Sequence, residues 1–266
     1  MSNSRPPLPW SPSFLNRSAA FRPLQPIAEP FTHCRSWPAI VDYNLAAERA
    51  ELPLRFENET ALTDDLGYEA RVATQGIVAT RAGSWHDFFN MLSWLAYPQI
   101  KRSVVTRQVR TRPKHAPHAR GPTDNMLAHF EECGALVLSS SPPLLHELRA
   151  FHWRTLFWTR RAEVMSQLKV FVTGHGLLSK LLSPYPSITA HCLLIDVDTR
   201  FFELSPCEQR RTADTLGARA IQEPTLASPR DLQPLPLLGV PGWTPDNARA
   251  SYYDDTSVFR PRPQAR

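Results

Sequence analysis

Glycine is scarce in this chain, ten in 266 residues. The sequence has no nucleotide-binding motif: Thr173-Gly174-His175-Gly176 is followed by no Gly-Lys-Ser/Thr step, so it is not a P-loop. Cysteine is sparser still. Cys34, Cys133, Cys192 and Cys207 form no C-x-x-C pair, which argues against a zinc knuckle and makes reduced thiols in a cytoplasmic chain the expectation. No apolar run approaches the eighteen or so residues of a membrane span, so no membrane association is expected. The opening Met1-Ser2-Asn3-Ser4-Arg5-Pro6-Pro7 has no apolar stretch behind a basic start, unlike a secretory signal. Charged residues make up only 21%, and the formal net charge is +5. That excludes a histone-like polycation and leaves at most a weak attraction for polyanions.

Proline and large apolar side chains are plentiful. Twenty-six prolines predict long ordered connections without regular structure. Hydrophobic residues at 42%, with 7 Trp and 13 Phe, supply a sizeable core. Residues 1–30 read as a proline-rich arm anchored by Trp10, Phe14 and Phe21, residues 31–262 as one globular domain, and 263–266 as a tail. The predicted fold is mainly α with a small β component, an α+β domain with irregular ends. Helices are expected over 43–52, 85–97, 100–110, 124–132, 142–158, 177–182 and 208–217. Strands are expected at Phe56, 68–72, 76–80, 134–139, 170–172 and 190–197. Ser84 has the character of an N-cap, with Asp87 three residues on, and Pro98 stops the same helix.

Four motifs stand out. Trp85-His86-Asp87-Phe88-Phe89-Asn90 leads to Trp94-Leu95-Ala96-Tyr97-Pro98 and Lys101. Phe130-Glu131-Glu132-Cys133-Gly134-Ala135 is an acidic step. Gly174-His175-Gly176-Leu177-Leu178 precedes Pro184-Tyr185-Pro186. The closing stretch 234–243 (Pro-Leu-Pro-Leu-Leu-Gly-Val-Pro-Gly-Trp) is followed by Asn247, Tyr253-Asp254-Asp255 and Val258-Phe259-Arg260-Pro261. Together these collinear motifs resemble the bacterial domain of unknown function 3025 over about residues 40–262. The resemblance implies a cytoplasmic bacterial protein and supplies no activity. The chain departs from the family pattern at Glu131, where Asp is expected, and at Gly176, where Ala is usual.

Read for chemistry, His86 and Asn90 lie four apart and share a helix face, while Asp87 projects about 100° away. Histidine is the natural acid/base near neutral pH. A metal at this pair is disfavoured, because no second histidine stands at i+4 and Asn90 is a poor transition-metal ligand. Glu131 and Glu132 sit at the unfavourable end of a helix dipole, with a salt bridge to Arg160 or Arg161 as the plain explanation. Gly174, His175 and Gly176 open a helix whose backbone N–H groups suit an anion. The expected site joins His86 as general base, Asp87 or Glu132 as its orienter, and His175. Asn90 and the 174–176 backbone would hold an oxyanion, and Arg160 or Arg161 would neutralise an anionic group. Such a site suits hydrolysis or group transfer on a small polar or anionic molecule.

Two other readings stay open. A non-enzymatic scaffold would dock a protein partner through the proline-rich ends, and its polar motifs would pin the core. A sealed, fully hydrogen-bonded His86 would favour that scaffold. Weak nucleic-acid binding through Arg102, Arg107, Arg110, Arg112, Lys114 and Arg120 is disfavoured, because no aromatics interleave the basic run. Lys114, His115 and His118 read as a solvated basic loop.

Overall fold

A computed structural model of the chain describes residues 8–63, 65–112 and 121–262. An arm of short helical turns contains α1 (Gln25–Ala28). It leads into α2 (Ile40–Arg49), β1 (Arg55–Asn58), α3 (Tyr68–Gln75) and β2 (Ile77–Thr80). Three longer helices follow, α4 (Trp85–Ala96), α5 (Pro98–Thr111) and α6 (Pro122–Cys133). The second half runs β3 (Gly134–Ser139), α7 (Pro142–Arg149), α8 (Arg161–Gln167), β4 (Leu168–Val172), α9 (His175–Lys180), β5 (Thr189–Asp196), α10 (Pro206–Gln222) and β6 (Gln233–Pro236). Helix dominates and strand is minor, the α+β class expected from the sequence. No helix of the described residues is long and apolar enough to cross a membrane.

The larger sheet has the order β4-β3-β5-β6. Its second strand, β3, runs antiparallel to β4 and parallel to β5, and all six of its residues are buried. A strand covered on both faces reads as an unbroken apolar run, which is how Gly134-Ala135-Leu136-Val137-Leu138 looks in the sequence. At one edge lies β6, where Pro234 and Pro236 need no ladder N–H. The smaller sheet pairs β1 and β2 in parallel, with Phe56 opposite Val78, and α3 makes the crossover.

α4 lies at the heart of the molecule. Eleven of its twelve residues are buried, and His86 is the exception. Its aromatic face meets the arm: Trp10 stacks on Trp85 with ring centroids 5.0 Å apart, and Phe21 stacks on Phe89 at 5.3 Å. Ser93 on another face donates to the Thr173 carbonyl and ties α4 to the turn that opens α9.

Three elements differ from expectation. Residues 68–72 are the start of α3 rather than a strand, because Glu69 and Arg71 point inward and Glu69 pairs with Arg112. The helix expected over 142–158 stops at Arg149, where Phe151 takes a left-handed φ of 60°. The basic residues of α5 divide between surface and interior: Arg102 and Arg110 are exposed. Lys101 and Arg107 are buried, and Arg107 donates to the carbonyls of Ile221, Glu223 and Leu226 at the end of α10. Lys114, His115, His118 and Arg120 lie outside the described residues, as do 1–7 and the 263–266 tail.

The closing motif is a structural strap. Asn247 Nδ2 donates to the carbonyls of Leu238 and Val240, and the Tyr253 hydroxyl donates to that of Gly239. Trp153 Nε1 reaches the Arg260 carbonyl at 2.7 Å.

Candidate functional site

The reactive groups begin at the N-terminus of α4. Ser84 Oγ accepts from the Asp87 backbone N–H at 3.3 Å, a normal N-cap. The Asp87 carboxylate turns outward from the helix and accepts from the Arg81 backbone N–H at 2.6 Å and from its Nε and Nη2, both at 2.9 Å. The same carboxylate reaches back to the preceding residue: Asp87 Oδ1 is 3.0 Å from His86 Nδ1. Burial alone would raise the Asp87 pKa. The bonds from Arg81 and His86 outweigh it and hold the group well below the usual carboxylate range.

His86 is thereby held from both sides. Its Nε2 lies 3.2 Å from Glu132 Oε2, at the C-terminal end of α6. Hydrogen bonds to Asp87 and Glu132 push its pKa up to about 9 against the opposing effect of burial. Each ring nitrogen thus faces a carboxylate, Asp87 at Nδ1 and Glu132 at Nε2.

Glu132 Oε2 is also 3.6 Å from His175 Nε2, at the first residue of α9. The two imidazole rings meet edge to face, with centroids 4.4 Å apart. His175 is buried, yet its side chain makes no hydrogen bond among the described residues, and its Nδ1 is fully enclosed. Burial first, then the nearby charges of Lys101 and His86, push its pKa well below the ordinary histidine value. The Glu132 pKa is lowered, chiefly by the bond from His86. The ligand-capable atoms of His86, Glu132 and His175 all lie within 4.8 Å of one another.

The two glycines beside His175 have local explanations. A Cβ on Gly174 would fall 2.4 Å from the Gly134 backbone nitrogen, so this glycine lets the turn before α9 cross the α6–β3 junction. A Cβ on Gly176 would fall 1.9 Å from Glu132 Oε1. The glycine at this departure from the family pattern opens the space that the Glu132 carboxylate fills. The Glu132 carboxylate therefore lies against the 174–176 turn that was expected to cradle an anion.

Asn90 is buried, with both ends of its amide engaged. Lys101 Nζ donates to its Oδ1 at 2.8 Å, and its Nδ2 donates to the Tyr68 hydroxyl at 3.2 Å. Lys101 also bonds Glu131 Oε1 at 2.5 Å and stands 5.2 Å from the Trp94 ring centroid. Asn90, expected to hold an oxyanion, thus borders the cleft with its amide already bonded into a buried network behind the histidines. Arg160 pairs with Glu163, and Arg161 donates to the Asn247 carbonyl, so neither borders this site. The partner of the acidic step is Lys101, which the sequence offered only as a lysine on an otherwise apolar helix face. Arg81 was missed as well; its signal was a basic residue just ahead of a capped helix.

The cluster borders a cleft of about 960 Å³. Leu62, Leu66, Tyr68 and Glu69 line it together with His129 and His191, whose rings are 5.4 Å apart. Of the residues expected to form one site, the fold brings together His86, Asp87, Glu132 and His175, places Asn90 just behind them, and leaves Arg160 and Arg161 elsewhere.

No curated protein and no solved structure matches the chain. A family described as protein of unknown function (DUF3025) matches residues 54–263, a span that holds every residue of the cluster. The chain belongs to the DUF3025 family.

Proposed function

We propose that the cleft is an active site and that the chain catalyses hydrolysis or group transfer on a small polar substrate. One observation carries this reading. Two imidazoles and a carboxylate, from helices far apart in sequence, bring their tips within 4.8 Å of one another at a solvent-connected cleft. Such a cluster can polarise a bound water or substrate hydroxyl and manage the proton that leaves it. Asp87, clamped by Arg81, orients His86 from behind. The Lys101–Asn90–Glu131 network stiffens the wall on which Glu132 stands. A core pin would be sealed, whereas 39% of the His86 side chain is exposed. That exposure favours a site over a scaffold. Arg160 and Arg161, expected to hold an anion, lie elsewhere, but Arg71 and Arg81 line the cleft, so it suits a small polar or anionic substrate.

The test is depletion of a metabolite extract followed by mass spectrometry, comparing the wild-type chain with His175→Ala and Glu132→Gln. The wild type is expected to convert at least one small polar compound, and both variants to leave it intact while keeping their circular dichroism. Identical extracts from wild type and variants would overturn the reading.

A further inference from the structure

We propose that His86, Glu132 and His175 form a binding site for one divalent transition-metal ion of the zinc type, held by two imidazole nitrogens and one carboxylate oxygen. The inference deepens the proposed function, since it concerns the same cluster, but it stands on its own geometry. Around a tetrahedral zinc ion with bonds of about 2.0–2.1 Å, neighbouring donor atoms lie about 3.3 Å apart. Glu132 Oε2 is 3.2 Å from His86 Nε2 and 3.6 Å from His175 Nε2. The two nitrogens need only close on each other from within 4.8 Å. A small rotation of the His86 side chain, 39% of which is exposed, accomplishes that.

The donor chemistry selects the ion. Two imidazoles and a carboxylate suit zinc, cobalt, iron or nickel, whereas calcium and magnesium prefer an all-oxygen shell. The surroundings of His86 are those of a metal ligand. Ligating histidines usually give their second N–H to a carboxylate, which fixes the tautomer and aims the other nitrogen at the ion. Asp87 Oδ1 occupies that position at 3.0 Å from Nδ1 and is itself fixed by three bonds from Arg81.

His175 gives a second, independent pointer. Buried polar groups are almost always hydrogen-bonded. This imidazole is buried and makes no hydrogen bond among the described residues. A structural pin would be bonded; here Nδ1 has no partner among the described residues and Nε2 faces only the Glu132 carboxylate at 3.6 Å, which leaves Nε2 available to an ion. Gly176 adds a third, since the missing Cβ is what admits the Glu132 carboxylate to the cluster. Glu131 is not a ligand, because Lys101 already takes its carboxylate. Three protein ligands leave the remaining coordination open to the cleft, the pattern of catalytic rather than structural zinc sites. A water or substrate oxygen would occupy it.

The experiment strips the full-length chain with a chelator and dialyses it. Zinc or cobalt(II) is then added, and the metal that co-elutes on gel filtration is counted. The wild type is expected to retain one ion per chain. Its cobalt form should show the visible bands of a four-coordinate nitrogen and oxygen site, without sulfur charge transfer. Glu132→Gln, at a half-exposed position that the fold tolerates, and His175→Ala are expected to weaken binding by at least about 100-fold. Cys133→Ala is expected to leave it unchanged. No ion retained by the wild type, or equal retention by the wild type and both ligand variants, would overturn the assignment. A retained ion without turnover of any metabolite would leave the metal site standing and remove the proposed activity. Turnover by the stripped chain would do the reverse.

Discussion

Lys101 enters the interior with 3% of its surface exposed and serves three neighbours at once: Asn90 Oδ1, Glu131 Oε1 and the face of Trp94. Burial alone would lower its pKa, yet Glu131 and the surrounding groups keep it raised and the ammonium charged. Removing one member of such a buried pair strands the other charge, at a cost of about 3–5 kcal/mol. Lys101→Met is therefore expected to destabilise the chain by about that amount in urea denaturation. The double variant Lys101→Met/Glu131→Met is expected to recover at least about 1 kcal/mol of it, because two apolar side chains leave no orphaned charge. A double variant less stable than the single one would show that the pair is held by something other than mutual neutralisation. At this scale the sequence was partly legible. His86, Glu132 and His175 could be chosen as residues that lacked a local reason for being where they are. Asp87 was one of two carboxylates expected to orient His86, although helical spacing places neighbouring side chains about 100° apart. The contact forms because Asp87, in the capped first turn, leans back toward Arg81.

Among the elements, some helix ends are visible in the sequence and others are not. Ser84 and Pro98 are visible as a cap and a breaker, and α4 runs from one almost to the other. α2 and α7 instead end on Glu51 and Phe151, at φ 53° and 60°, in the left-handed geometry that a glycine usually supplies. In both cases the last turn closes with the bonding of a Schellman motif, Leu52 N–H to Ala47 O and His152 N–H to Glu147 O. With so few glycines in the chain, these two stop signals are missing from the sequence, whose pattern predicts a helix through residue 158 where α7 ends at Arg149. The start of α5 is secured from outside as well. Asp214 on α10 accepts from the backbone N–H groups of Gln99 at 3.1 Å and Ile100 at 2.9 Å. Burial raises its pKa to about 6 against the lowering effect of those two bonds. A carboxyl whose folded pKa lies above its ordinary 3.8 favours the folded state most below that value, and loses the contribution as pH rises through 6. The stability difference between the wild type and Asp214→Asn should therefore shift in favour of the wild type as pH falls from 7 to 4. Thermal melts of both chains across that range measure it. A pH-independent difference would mean that Asp214 does not titrate there.

The whole molecule depends on a segment that the family match does not include. The match begins at residue 54, yet Phe14, Phe21, Leu24 and Phe31 are buried to within 3% of complete enclosure, and they pack around α4. Phe14 contacts Trp85, Phe88 and Phe89 at centroid distances of 5.5, 5.3 and 6.1 Å. Trp85 Nε1 donates to the Leu8 carbonyl. α4 is therefore a helix with two duties. One face fills the aromatic core beneath the arm, and the other presents His86 to the cleft. An apolar face this wide needs a cover, and the proline-rich composition of the arm lets it follow the surface in short turns rather than one long helix. Opening a cavity at a fully buried phenylalanine costs about 3–5 kcal/mol, so Phe14→Ala is expected to lower stability by that much. A chain starting at residue 34 is expected to be insoluble or to melt without cooperativity, because it bares Trp85, Phe88 and Phe89 together. Both outcomes are read by denaturant unfolding and gel filtration. Metal retention gives the finer readout: if the arm braces the helix that carries His86, Phe14→Ala weakens the ion as well as the fold, although residue 14 touches no ligand. A Phe14→Ala chain that unfolds earlier but holds its metal as tightly as the wild type would mean that the two faces of α4 act independently.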